Sequence, residues 1–179
     1  MRTVNTLLNF AWTILAFSVV IFFWYREWQT GLFIAFVVVS LASLLVPLRY
    51  LQISRRRVLY DRLGVRTVNL FVQNGRLAKR VSGKTHNQTI HRKDHGALIA
   101  STRMYERFHW MCFVFFLLTT GYAVASELLR YALGLMLSNL VYNVYPILLQ
   151  QYNRMRFLAI TRFAGSSPDL SMPPSRTGN

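Results

Sequence analysis

The sequence has few acidic residues and a single cysteine. Six Asp and Glu stand against 21 Lys and Arg in a chain of 179 residues, which gives a formal net charge of +15. Charged residues make up only 15% of the chain, whereas an average soluble domain has about 25%. This composition argues against a soluble globular protein. The lone Cys112 excludes an intramolecular disulfide, and we expect it to pack in the interior.

Charged residues are missing altogether from four long blocks, which are residues 3–25, 28–48, 108–126 and 131–153. At about 1.5 Å per residue, each block is long enough to cross a bilayer as a helix. The first block ends in aromatic residues and has no small-residue cleavage pattern, so we interpret it as a retained anchor rather than a signal peptide. The predicted fold class is therefore all-α, an integral membrane four-helix protein.

Short connections divide these spans into two predicted helical hairpins. Arg26 and Glu27 join the first pair, and residues 127–130 join the second pair. The segment between the hairpins, residues 49–107, holds 14 of the 21 basic residues. The positive-inside rule makes this basic segment cytoplasmic, and an even number of spans then places both termini in the cytoplasm. We expect a multi-pass protein of the cell membrane.

Four regions are expected along the chain. They are a first transmembrane hairpin (1–52), a basic cytoplasmic segment (53–107), a second hairpin carrying polar motifs (108–156) and a flexible C-terminal tail (157–179). Within the basic segment, residues 53–64 combine apolar positions at helical spacing with a basic face. This pattern predicts a short amphipathic helix on anionic headgroups, which Gly64 would end.

Polar groups at the edges of the predicted spans are the first functional candidates, because they are costly in hydrocarbon. Glu106 and His109 lie one helical turn apart at the start of the third span. A carboxylate beside an imidazole raises its basicity and fixes its tautomer, so we interpret His109 as a general base supported by Glu106. The alternative is an ordinary helix entry in which Glu106 offsets neighbouring arginines.

A second polar cluster ends the fourth span. Asn143, Gln150 and Asn153 place amides on one helix face, and Pro146 is expected to kink the helix. Because a tight hairpin keeps the third and fourth spans adjacent, both clusters face the same leaflet. We therefore predict a cytosol-facing polar cleft for an amphiphilic substrate. The alternative is a set of interhelical hydrogen bonds that only hold the bundle together.

Other kinds of site find little support in the sequence. His86, His91 and His95 lie close together, but without cysteines or enough carboxylates beside them we predict no metal site. A glycine-rich phosphate loop and a nucleophile elbow are both absent from the sequence. The basic segment lacks interleaved aromatic residues, so its expected partners are membrane lipids and not nucleic acid.

The two clusters resemble paired motifs of the glycosyl-4,4'-diaponeurosporenoate acyltransferases, small membrane enzymes that esterify the sugar of a glycosylated carotenoid. The first motif, Glu-Thr-Arg-x-x-Glu-x-x-His-Trp, is matched by Thr102, Arg103, Glu106, His109 and Trp110. The second, Asn-x-Pro followed by Gln-Arg-Tyr-Asn-Arg-x-Arg, is matched by Asn143, Pro146, Gln150, Tyr152, Asn153, Arg154 and Arg156. Ser101 stands where the family has Glu, Gln151 stands where it has Arg, and one extra residue separates Asn143 from Pro146.

The resemblance implies a membrane acyltransferase that transfers a fatty acyl chain to a hydroxyl of a glycosylated isoprenoid or glycolipid at the cytoplasmic leaflet. The expected catalytic residues are His109 and Glu106, and the expected substrate-binding residues are Arg103, Asn143, Gln150, Tyr152, Asn153, Arg154 and Arg156. Acyl-CoA or another acyl donor is the co-substrate, no cofactor is expected, and a homo-oligomer is left open. The alternatives are a non-catalytic membrane subunit that docks a partner enzyme or anionic lipid, and a small transporter.

Overall fold

The computed structural model describes residues 2–54, 56–65 and 94–165, and this part of the chain is helical without strands. Its helices are α1 (Arg2–Arg26), α2 (Thr30–Ala42), α3 (Arg57–Arg62), α4 (Asp94–Ala125), α5 (Leu129–Asn139) and α6 (Tyr145–Gly165). A 3₁₀ turn, Ser43–Leu45, follows α2, and a π-helical turn, Leu140–Val144, joins α5 to α6. The predicted all-α fold class is confirmed for these residues.

Two of the described helical segments, Gly96–Ala125 and Leu129–Ala159, are long and apolar enough to cross a membrane. The apolar helical stretches found in the N-terminal pair are shorter, at Thr13–Arg26 within α1 and at Thr30–Leu45. The second of these ends before the predicted boundary at residue 48, because Pro47 has no backbone N–H and disfavours a helical conformation in the residue before it. Two segments of membrane-crossing length and hydropathy are therefore found among the described residues, and the four-span topology stays a prediction.

The C-terminal helices extend beyond the predicted hairpin. α4 begins at Asp94, well before the predicted start of the third span at Phe108, and α6 continues past residue 157 to Gly165.

α3 lies within the predicted amphipathic segment. Gly64 follows it with a φ of 73°, a left-handed conformation that commonly ends helices. The rest of the predicted tail, residues 166–179, lies outside the described residues, as do His86 and His91.

The surface of the bundle is apolar along several helices. Large apolar side chains are exposed along several helices, including Leu15, Ile21, Phe22, Ile34, Val38, Leu133, Met136 and Leu137. Among the described residues, eight polar or charged ones are buried instead, namely Ser40, Thr102, Glu106, Thr119, Asn139, Asn143, Gln151 and Arg154. An apolar exterior around paired polar groups is the arrangement that a lipid environment favours.

An aromatic core holds α1 against α4 and α5. Phe23, Trp24 and Phe116 are buried together with Leu135, and the Trp24 indole N–H donates to Thr119 Oγ1 over 3.3 Å. α4 and α5 lie side by side, as predicted from the short connection between them. The predicted packing of Cys112 in the interior is also confirmed, since it is 6% exposed.

The 3₁₀ turn after α2 contacts α4 near the polar residues. Arg107 donates from Nη1 to the backbone carbonyl of Leu44 in the 3₁₀ turn. A second apolar cluster, formed by Tyr60, Val65, Leu148 and Leu149, packs α3 and the residues after it against α6. Both contacts bring the segment between α2 and α3 close to the polar residues of α4 and α6.

Candidate active site

A buried ion pair joins α4 to α6. Arg154 Nε lies 3.1 Å from Glu106 Oε2, and Arg154 Nη2 donates to Glu106 Oε1 over 3.2 Å. Glu106 is completely buried and Arg154 is 8% exposed. Transfer of each charge from water into such a site costs several kcal/mol unless the partner compensates it. The pair therefore fixes the position of the two helices relative to one another.

His109 lies one turn after Glu106 on α4 but has other neighbours. Its imidazole interacts with the side chain of Asn143 and with the backbone carbonyl of Tyr142. The Tyr142 ring meets the imidazole edge-on, with 5.6 Å between the ring centroids. The Glu106 carboxylate is paired with Arg154. Among the described residues, no contact joins that carboxylate to the imidazole. Glu106 and His109 are therefore neighbours on α4, but their side chains interact with different partners.

The π-helical turn brings Tyr142 and Asn143 to the imidazole. In this turn Tyr145 N bonds to the carbonyl of Leu140, five residues earlier, and Pro146 follows without an N–H to donate. A π turn widens the helix and rotates the residues around it, and such turns are frequent at functional sites. The sequence predicts a kink at Pro146, and the structure has this wide turn immediately before the proline.

Two buried asparagines continue the polar contacts from His109 toward the middle of the bundle. Asn143 Nδ2 donates to Asn139 Oδ1 over 2.9 Å. Asn139 Nδ2 donates in turn to the backbone carbonyl of Phe113 on α4 over 3.2 Å. Asn143, a predicted substrate-binding residue, is fully buried and uses its amide N–H within the protein. Asn139 is not among the residues predicted from the sequence, because it lies outside both motifs.

Gln151 anchors the segment between α2 and α3 to α6. Its Oε1 accepts from the backbone N–H of Ile53 over 3.1 Å, and its Nε2 donates to the carbonyl of Leu51 over 2.9 Å. Gln151 is fully buried and also interacts with the carboxylate of Glu106. It is absent from the predicted site residues, and the only signal in the sequence is its departure from the Arg of the family motif.

Tyr60 on α3 completes this anchor, and the two side chains are called the Gln151–Tyr60 clamp below. The Tyr60 hydroxyl lies 2.8 Å from Gln151 Oε1 and 2.9 Å from the Ser54 carbonyl, and it accepts from Ser54 N over 3.0 Å. Tyr60 is fully buried, and this burial raises the pKa of its phenol above the usual 10.0. The hydroxyl therefore stays protonated at neutral pH and keeps its donor.

We expect Tyr60→Phe to loosen the Gln151–Tyr60 clamp. The change removes the hydroxyl that accepts from the backbone N–H of Ser54 and leaves this N–H without a partner, which costs about 1 to 3 kcal/mol, and it removes one of the contacts of Gln151 Oε1. Hydrogen exchange of the backbone amides of Ile53 and Ser54 should then become faster. Tyr25→Phe is the matched control, since Tyr25 is 84% exposed and its replacement should leave these amides unchanged. Equal exchange in Tyr60→Phe and the parent would contradict the clamp.

The remaining predicted site residues differ in how deeply they are buried. Gln150, Tyr152 and Asn153 are half-buried on α6, whereas Arg103 and Arg156 are exposed. Tyr152 packs against the apolar cluster around Tyr60, and Arg103 acts electrostatically on the Glu106 carboxylate. The structure thus buries the Glu106–Arg154 pair and Asn143, places His109 half-buried beside Asn143, and leaves two arginines at the surface.

The family model for glycosyl-4,4'-diaponeurosporenoate acyltransferase matches residues 49–162, which is more than half of the chain. The matched range includes α3, α4, α5 and most of α6, and with them all the site residues described above. No curated protein and no solved structure gave a significant match to the chain.

Proposed function

The chain belongs to the glycosyl-4,4'-diaponeurosporenoate acyltransferase family, and we propose that it transfers a fatty acyl chain to a hydroxyl of a glycosylated isoprenoid or glycolipid at the cytoplasmic leaflet. The observation that carries this proposal is a partly buried histidine beside a polar network between two membrane-length helices. At this position the imidazole lies at the depth of the polar head of an amphiphilic substrate in the leaflet. Such a base, with correct positioning, is sufficient for direct transfer without a covalent enzyme intermediate.

In the proposed reaction His109 takes the proton of the acceptor hydroxyl. The resulting alkoxide attacks the carbonyl carbon of an acyl thioester or ester, a new C–O bond forms, and the bond from the carbonyl carbon to the leaving thiolate or alkoxide breaks. The proton held by His109 then passes to the leaving group. No resident cofactor takes part, and the acyl donor, such as acyl-CoA, is a co-substrate.

The polar residues around His109 have separate proposed roles. Gln150 and Asn153 donate from their amides to the carbonyl oxygen, on which negative charge develops during the attack. The exposed Arg103 and Arg156 bind the phosphates of the donor, and Tyr152 contacts the acyl donor or acceptor from α6. The Glu106–Arg154 pair is proposed to position α4 against α6 and thereby to hold His109 opposite these amides.

We propose that four helices cross the membrane and that both termini lie in the cytoplasm. The exposed apolar faces of α1 and α2 support contact with lipid, and the 14 basic residues of the segment 49–107 support a cytoplasmic location for it. The Gln151–Tyr60 clamp attaches part of that segment to the site. This topology places the mouth of the site in the cytoplasmic leaflet.

A pair of reporters fused after Asn179 tests the topology. Green fluorescent protein, which fluoresces when it stays in the cytoplasm, should give a bright fusion. Alkaline phosphatase, which is active only when exported, should give an inactive fusion of equal abundance. The reverse pattern would place the C-terminus outside and contradict the proposed orientation.

Sealed membrane vesicles test the reaction and its leaflet together. Inverted vesicles expose the cytoplasmic face, so they should transfer labelled acyl groups from membrane-impermeant acyl-CoA to added glycolipid acceptors. Right-side-out vesicles of the same preparation should form product only after permeabilisation. Equal product in both sealed preparations would contradict the cytoplasmic leaflet, and absence of transfer after permeabilisation would contradict an acyltransferase that uses acyl-CoA.

A further inference from the structure

The hydrogen bond from Asn139 on α5 to α4 determines how both buried asparagine amides are oriented. The backbone carbonyl of Phe113 only accepts hydrogen bonds, so Asn139 must present its Nδ2 to that carbonyl and its Oδ1 to Asn143. Asn143 must then present its Nδ2 to Asn139. The Oδ1 of Asn143 is left on the opposite side of the amide, and it is an acceptor.

The other end of this chain of contacts is the imidazole. His109 Nδ1 and Asn143 Oδ1 are both enclosed, and neither has a hydrogen-bond partner among the described residues. The Asn143 side chain lies beside the imidazole, and the other polar neighbour of the ring is the carbonyl of Tyr142, also an acceptor. Because both neighbours are acceptors, a ring nitrogen that faces either of them is favoured as the N–H donor.

We propose that Asn143 is a positioning residue that holds His109 in the Nδ1–H tautomer, with Nδ1–H donating to Asn143 Oδ1. A neutral imidazole has one N–H and one lone pair, so the lone pair is then on Nε2, which is not among the enclosed unpartnered atoms. Nε2 is the atom that takes the proton of the acceptor hydroxyl. This consequence rests on the proposed function, whereas the tautomer itself is a property of the resting protein.

A neutral partner suits this position better than a carboxylate. Asn143 is fully buried, and a second carboxylate at this depth would add an uncompensated charge beside the Glu106–Arg154 pair. An amide selects the tautomer and the ring orientation without adding charge. The inference also gives Asn143 a role different from direct substrate binding, because both polar atoms of its amide are used within the protein.

Nitrogen NMR of the full-length protein in lipid nanodiscs tests the tautomer directly. With ¹⁵N-labelled histidine, Nδ1–H and Nε2–H rings give distinct shifts, and His109→Gln identifies the signals of His109. We expect the Nδ1–H form in the parent and a mixture of both forms in Asn143→Leu, which keeps the volume but loses the acceptor. Thr120→Ala is the matched control, since the Thr120 hydroxyl bonds only to Phe116 of its own helix, and its His109 signal should equal that of the parent.

A second variant keeps the test informative if Asn143→Leu does not fold. Asn139→Leu removes the group that orients Asn143, so the preference for the Nδ1–H form should weaken there as well. A parent in the Nε2–H form, or an unchanged Nδ1–H signal in folded Asn143→Leu, would overturn the inference.

Kinetics on the same preparations separate this inference from the proposed function. We expect Asn143→Leu to lower kcat for acyl transfer by about tenfold or more with little change in KM, because removing a supporting hydrogen bond disorders a base and not a substrate contact. A raised KM with an unchanged kcat would instead overturn the positioning role. An Nδ1–H signal in a protein without any acyl transfer would contradict the proposed function alone.

Discussion

His109→Ala is expected to lower acyl transfer about 100-fold or more, the usual scale for the loss of a general base. The amount of folded protein should stay near that of the parent, because the imidazole is in no ion pair among the described residues and the Glu106–Arg154 pair between α4 and α6 remains in place. Transfer rate and folded yield are measured on the same detergent-extracted preparations. The result separates a catalytic histidine from one that only fills space.

Glu106→Gln is the informative comparison for this variant. It leaves the imidazole and its Asn143 contact in place, so the rate per folded molecule should fall less than in His109→Ala. Its main effect should be on the folded yield, because the buried Arg154 loses its charge partner. Unchanged specific activity in His109→Ala would remove His109 from the mechanism.

The second large effect concerns stability and the ion pair between α4 and α6. Arg154→Met should lower the free energy of unfolding by about 3 to 5 kcal/mol, because it leaves the completely buried Glu106 as an uncompensated charge. The double variant Glu106→Leu/Arg154→Met should recover most of that loss, since apolar side chains of similar volume pack without a desolvation cost. Reversible unfolding in mixed micelles, followed by tryptophan fluorescence, gives the four free energies of the double-mutant cycle.

The pair formed by Arg26 and Glu27 provides a control within the same chain. Arg26 Nε lies 3.5 Å from Glu27 Oε1, but the two side chains are 64% and 31% exposed. Glu27→Gln should therefore change the free energy of unfolding by less than about 1 kcal/mol. An Arg154→Met variant as stable as Glu27→Gln would show that the buried pair does not hold the helices together.

Sequence reasoning locates the site residues in the chain but does not identify their partners. Helical spacing correctly indicates that Glu106 and His109 follow one another on α4, and it suggests that they support each other. In the structure, Glu106 pairs with Arg154 on α6, while His109 meets Asn143. The reason is that a cation at hydrogen-bond distance compensates a buried carboxylate far better than a neutral imidazole does.

Local pattern also misses residues whose importance lies in long-range contacts. Gln151 differs from the family motif, and Asn139 belongs to no motif, so neither stands out in the sequence. Their roles depend on the backbone groups that they meet, namely Leu51 and Ile53 for Gln151 and Phe113 for Asn139. A backbone carbonyl or N–H carries no residue-specific signal, and its position is known only once the helices are packed.

The sequence by itself determined the helical class, the adjacency of α4 and α5, the helix end at Gly64 and the stretches that carry the polar motifs. These follow from hydrophobic length, short connections and backbone preferences, which act over a few residues at a time. Only the tertiary structure decided that Glu106 binds Arg154 and that a π turn presents Asn143 to His109. Each of these outcomes depends on the relative rotation and depth of packed helices, and residue spacing along a single helix does not specify either quantity.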